Sequence, residues 1–141
     1  MAAYQKHQDN LLTEEIEELL LGTRFIDAYD FLDLRTEKVR KSGRSYYSTL
    51  LTYPGIYVIY NFDKELYYVG QSKDVFKRLS NHLEGSGNGD VYADFKYGDN
   101  FKVLTVPLEN SGFKDLNELE RNFIEYYDAY ENGYNKTRGN R

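Results

Sequence analysis

Cysteine is absent from this 141-residue chain, and so is tryptophan, while proline occurs twice and methionine once. Without thiols there are neither disulfide staples nor thiolate ligands for a structural zinc. A chain of this length can still bury a core unaided, and it fits one ordinary domain with a small extension. Long apolar runs are also missing, since nothing approaches the roughly 20 residues of a membrane-crossing helix. The opening MAAYQKHQDN lacks the basic-then-apolar order of a secretory signal. The expectation is a soluble, cytoplasmic protein without a membrane partner.

Positive net charge is the next absence. The formal charge of −5 argues against coating nucleic acid non-specifically, because that binding rests on Lys and Arg neutralising phosphates. The distribution is uneven, however. Residues 1–34 carry eight acidic and two basic side chains, whereas residues 35–49 carry five basic and one acidic. A locally basic surface on an acidic chain therefore remains open.

What the chain has in quantity is tyrosine, 15 residues beside 8 phenylalanines, and tyrosine serves cores and polar sites alike. The stretch LLTEEIEELLLG predicts a helix with Thr13 as cap, Ile16, Leu19 and Leu20 inward, and Gly22 past its end. A second helix is expected from Thr23, on the spacing of Phe25, Ile26, Tyr29, Leu32 and Val39, with residues 44–53 as a linker or edge segment. After Pro54 the period changes. IYVIY and ELYYVG read as strands joined by the turn NFDKE, with Tyr57 and Ile59 on one face and Ile56, Val58 and Tyr60 on the other.

A helix capped by Ser72 or Asp74 should follow, burying Val75, Phe76, Leu79 and Leu83, and EGSGNGD reads as a loop. DVYADFKYG is open between short helix and irregular chain. FKVLTVPL is a third strand, and Asp115 with Glu118 precedes the helical pattern LNELERNFIEYYDAY, stopped by Gly133. The expected fold class is α+β: a small three-stranded antiparallel sheet flanked by helices in residues 54–141, with an N-terminal helical extension over residues 1–53.

Taken singly, the residues able to carry chemistry all have ordinary explanations. Tyr57 and Tyr68 would pack well on a pleated surface. Arg78 is four residues from both Asp74 and His82, the spacing of a surface helix pair. Glu120 lies beside Leu119 at the edge of an apolar helix face, and Gly133-Tyr134-Asn135 could be only a helix stop.

Their order and spacing carry more. Gly55-Ile56-Tyr57, a ten-residue spacer, Tyr68-Val69-Gly70, Gln71-Ser72, Arg78 with His82, LERNFI around Glu120 and finally Gly133-Tyr134-Asn135 resemble the GIY-YIG nuclease family over residues 54–137. The resemblance implies hydrolysis of DNA phosphodiesters with a divalent cation, Mg²⁺ or Mn²⁺, and no small-molecule cofactor. It implies that Tyr57 orients or deprotonates the attacking water and that Tyr68 assists it or hydrogen-bonds the phosphate. Arg78 would stabilise charge on the phosphate and Glu120 would hold the metal. His82 would accept a proton in support of Tyr57, Asn135 would position the site, and Gly55 and Gly70 would be structural.

A phenol with an ordinary pKa near 10 is ionised at neutral pH only at a cost of roughly 4 kcal/mol, so the tyrosine-base role needs help from its surroundings. Contacts to DNA outside the core would come from Arg35, Lys38, Arg40, Lys41 and Arg44, ahead of the motif, with a merely solvated helix end as the alternative for the same residues. The resemblance suggests a small stand-alone enzyme of homing, phage or mobile-element type. Two other readings stay open. One is a catalytically silent nucleic-acid-binding or protein-interaction module on the same fold; the other gives the working surface to the acidic N-terminal helices.

Overall fold

The computed structural model describes Ile16, residues 24–36 (34–36 by backbone alone) and residues 53–139. The first expected helix beyond Ile16, the linker ahead of Tyr53, and Lys38, Arg40, Lys41 and Arg44 lie outside the described residues. So does the side chain of Arg35.

The hairpin forms where the period-2 pattern places it. Strands β2 (Gly55–Asn61) and β3 (Leu66–Ser72) pair antiparallel, with Tyr57 opposite Gly70 and Ile59 opposite Tyr68. Asn61 starts the turn: its side-chain oxygen accepts the backbone N–H groups of Asp63 and Lys64 at 3.0 and 3.1 Å, and Glu65 closes it at φ 56°. Strand β4 (Phe101–Pro107) pairs with the other side of β2.

The sheet has a fourth strand that the periodicity placed inside a helix. In β1, Ile26–Asp27 pairs antiparallel with β4, giving the order β1-β4-β2-β3. The Asp27 carboxylate accepts the N–H of Tyr29 at 2.8 Å, so helix α1 (Ala28–Thr36) starts only after it. The spacing of Phe25, Ile26, Tyr29 and Leu32 suits a helix, yet the open edge of β4 claims Ile26–Asp27 for its ladder.

Alternation along β2 splits the core in two, as the strand pattern predicts. Tyr57 and Ile59 join Phe31, Val75, Phe76, Leu79, Leu83, Val91 and Phe95 on the face covered by α1, α2 (Val75–Glu84) and α3 (Gly89–Tyr97). Ile56 and Val58 join Leu104, Val106, Leu119, Phe123 and Ile124 under α4 (Leu116–Tyr126), with Ile16 in the same cluster. Leu79 is wholly buried, and Leu79→Ala would cost about 2 to 5 kcal/mol.

The helices begin and end on recognisable caps. Asp74 accepts the Lys77 N–H at 3.0 Å, and Gly85 ends α2 at φ 100°. Asn88 caps α3, settling DVYADFKYG as helix, and Asp115 caps α4 through the Glu118 N–H at 2.9 Å. Helix α4 stops at Tyr126, four residues before its apolar pattern ends, because Asp128 turns left-handed at φ 52°. The chain then folds back so that Tyr134 N–H donates to Tyr67 O at 2.9 Å, laying residues 133–135 along β3, the sheet's edge.

Candidate active site

Tyr57 and Tyr68 share a sheet face on adjacent strands, and their ring centroids are 6.2 Å apart. The Tyr57 ring can lie across β3 because its cross-strand partner has no side chain. A Cβ at Gly70 would stand 2.2 Å from the phenol oxygen. Gly55 is equally constrained, since its Cβ would meet the carbonyl oxygen of Val106 at 2.2 Å. Both motif glycines are thus places where another chain segment occupies the space of a side chain.

His82, on the inner face of α2, is wholly buried against both phenols, with ring centroids 5.2 Å from Tyr57 and 4.9 Å from Tyr68. Its Nε2 is 2.7 Å from Tyr57 Oη, and its Nδ1 accepts the backbone N–H of Asn88 at 2.9 Å. A nitrogen that receives an N–H is unprotonated, so the neutral ring carries its proton on Nε2 and donates it to Tyr57. Burial, reinforced by the Arg78 charge, lowers the His82 pKa to about 4, which keeps the ring neutral near pH 7. In this arrangement His82 is a donor to Tyr57, whereas the resemblance had suggested an acceptor.

Arg78 does not rest on Asp74, whose carboxylate caps α2. The half-buried Arg78 sends Nη1 to the carbonyl of Ser86 at 3.3 Å. Its charge also bears on both phenols. Burial pushes the Tyr57 pKa far above the ordinary phenol value, and Tyr68 and Glu120 raise it further, while Arg78 opposes them. Tyr68 is raised by burial as well, with Arg78 lowering it and Glu120 raising it. The same cation and the same carboxylate therefore act on both tyrosines.

Glu120, which the helix pattern placed at the edge of the apolar face, is only 8% exposed. Gln71 Nε2 donates to Glu120 Oε1 at 3.2 Å and to Asn117 Oδ1 at 2.8 Å, so β3 aims a carboxamide that orients the carboxylate. Among the described residues no group of three or more His, Cys, Asp or Glu side chains is placed to hold a metal ion. A single carboxylate among oxygen donors still suits Mg²⁺ or Mn²⁺, which keep several waters and bind through one or two carboxylates plus substrate phosphate.

Asn135 grips the edge of β3: its Oδ1 accepts Val69 N–H at 2.9 Å and its Nδ2 donates to Val69 O at 2.8 Å. This side chain imitates a neighbouring strand immediately before Gly70. Gly133 permits the approach, because a Cβ there would lie 2.6 Å from Tyr67 O.

The fold thus brings Tyr57, Tyr68, Arg78, His82 and Glu120 to one locality and sets Asn135 behind it. Residues 53–135, more than half of the chain, match the model of the GIY-YIG catalytic domain. The chain belongs to the GIY-YIG family. Comparison with curated proteins gave no match, and neither did comparison with solved structures. Membership of the GIY-YIG family carries nuclease activity in general, with the divalent-metal dependence common to these enzymes.

Sequence reasoning passed over Asn88 and Gly87, which lay in a stretch read only as loop. The one signal available was a helix-capping asparagine directly behind a glycine. Gln71 stood in the matched pattern, but its grip on Glu120 depends on α4 lying against β3. Among the described residues no helix is long and apolar enough to cross a membrane.

Proposed function

We propose that this protein hydrolyses DNA phosphodiester bonds, with Mg²⁺ or Mn²⁺ held by Glu120. The observation that carries the reading is the Tyr57 Oη···His82 Nε2 hydrogen bond of 2.7 Å, set where Arg78 and Glu120 both act on the phenols. A buried hydroxyl, a fixed ring donor, a guanidinium and a carboxylate are side chains that can serve an in-line displacement at phosphorus.

On this reading Tyr57 orients the attacking water, its oxygen held by His82. Burial keeps the phenol protonated at neutral pH, so proton transfer to Tyr57 needs influences that favour the phenolate. The chain supplies two, the Arg78 charge and the hydrogen bond donated by His82. Tyr68, the more open phenol, hydrogen-bonds water or a phosphate oxygen. Arg78 meets the charge that gathers on the phosphate. A bound cation would act as a Lewis acid on the leaving oxygen. Asn135 and Gln71 hold β3 and Glu120 in place.

DNA contacts outside the core are assigned to Arg35, Lys38, Arg40, Lys41 and Arg44, on the strength of their concentration in an otherwise acidic segment. The test is nicking of supercoiled plasmid with Mg²⁺ or Mn²⁺ against an EDTA control, using wild-type protein and Tyr57→Phe. Metal-dependent nicking lost in the variant supports the assignment. A folded wild type that binds DNA without cutting it would favour the silent module instead.

A further inference from the structure

The loop that follows α2, Gly85–Asn88, touches two of the site's side chains at once. Ser86 offers its carbonyl to Arg78 Nη1 at 3.3 Å, and Asn88 gives its backbone N–H to His82 Nδ1 at 2.9 Å. We propose that Asn88 is a positioning residue whose backbone N–H commits His82 to the Nε2–H tautomer, making the ring a donor to Tyr57. The assignment of a catalytic consequence rests on the nuclease reading above; the tautomer itself does not.

Five contacts make the N–H of Asn88 a fixed element. The Asn88 side-chain oxygen accepts the N–H groups of Asp90 and Val91 at 2.9 and 3.1 Å, tying the residue to the start of α3. Its Nδ2 donates to Tyr134 O at 3.3 Å, linking it to the segment that braces β3. Gly87 packs against the imidazole so closely that a Cβ there would lie 2.2 Å from Nδ1. Gly85, at φ 100°, turns the chain back, and Ser86 N–H joins Asn81 O at 2.8 Å.

With both nitrogens engaged, the alternative tautomer would oppose two N–H groups at Nδ1 and leave Tyr57 facing a lone pair. Tyr57 would then have to donate its proton to His82, and the phenol oxygen would lose the donor that favours its ionised form. The tautomer therefore decides whether His82 donates to the phenol oxygen, stabilising a phenolate, or instead accepts the phenol's proton.

The chain has only two histidines, so ¹⁵N-histidine labelling of the full-length protein, with His7→Gln to remove the other signal, reports the His82 ring directly. The wild type should show an unprotonated Nδ1 and a protonated Nε2. Asn88 has φ −67°, which proline adopts, so Asn88→Pro deletes the N–H and sets the proline Cδ in its place against Nδ1. Asn88→Ala loses the same cap but keeps the N–H, and isolates its effect. The proline variant should show mixed or inverted tautomers and cleave at least about tenfold more slowly than the alanine variant, the size typical of lost support behind a histidine.

An Nδ1–H ring in the wild type overturns the proposal. So do unchanged tautomers in Asn88→Pro, or equal shifts in the proline and alanine variants, which would assign the effect to the cap. If the proline variant does not fold, the wild-type spectrum and Gly87→Ala, which should displace the ring from Tyr57, still decide. A protein that shows the expected tautomers but no cleavage would sink the nuclease reading and leave the tautomer assignment standing.

Discussion

Tyr57 occupies the space that a side chain at Gly70 would fill, with a Cβ at position 70 falling 2.2 Å from the phenol oxygen. The glycine of the second motif is thus the seat of the tyrosine of the first. Gly70→Ala should push Tyr57 off His82 and cost about 1 to 3 kcal/mol through overpacking, together with most of the cleavage. Gly89, whose Cβ would meet no atom within 4 Å, is the control. Gly89→Ala should be neutral or stabilising by up to about 1 kcal/mol. Thermal melts and nicking rates of the two proteins, compared side by side, check this.

Tyr57→Phe removes an oxygen and leaves the ring in place. The buried Nε2–H of His82 then has no acceptor, which should cost about 1 to 3 kcal/mol. Turnover should fall about 10²- to 10⁴-fold while DNA affinity holds. Single-turnover rates beside binding titrations separate the two, and a drop below about threefold would pass the water-orienting role to Tyr68.

Glu120→Gln keeps an oxygen for Gln71 to donate to but loses the charge. Metal-dependent cleavage should disappear and Mn²⁺ binding measured by calorimetry should weaken strongly, with little change in melting temperature. Retained Mn²⁺ affinity would show that the cation is held elsewhere.

Arg78→Lys keeps a positive charge without the planar fork. DNA binding at fixed salt should change little, while the rate falls toward the loss of about 10²- to 10³-fold expected for Arg78→Ala. Cleavage by the lysine variant at the wild-type rate would mean that charge alone suffices.

Folding stability should depend on pH through His82. Its pKa is held at about 4 in the fold, below the ordinary 6.5, so between those values the unfolded chain binds the proton first. Its contribution is complete above about pH 6.5 and is lost as pH falls toward 4, by an amount on the order of 3 kcal/mol. His82→Gln should flatten this dependence. Urea midpoints of both proteins at about pH 4.5 and about pH 7.5 measure it, and identical slopes would rule out a buried neutral imidazole.

The sequence by itself determined the hairpin, the two faces of β2 and the helices α2 and α4. Each is written in local periods of two or three to four residues, and in caps such as Asp74 and Asp115. Matched elements in order, from Gly55 to Asn135, also named the family without any coordinates. Tertiary structure decided what local pattern cannot express. Ile26–Asp27 became a strand because the edge of β4 was free to pair, and α4 ended early because Asp128 turned left-handed. Arg78 left its helix neighbour Asp74 for Ser86, since that carboxylate already capped the helix. The tautomer of His82 depends on a backbone N–H six residues away, brought back by a left-handed glycine. Hydrogen bonds of that kind are made by folded chain paths, and residue spacing alone carries no record of them.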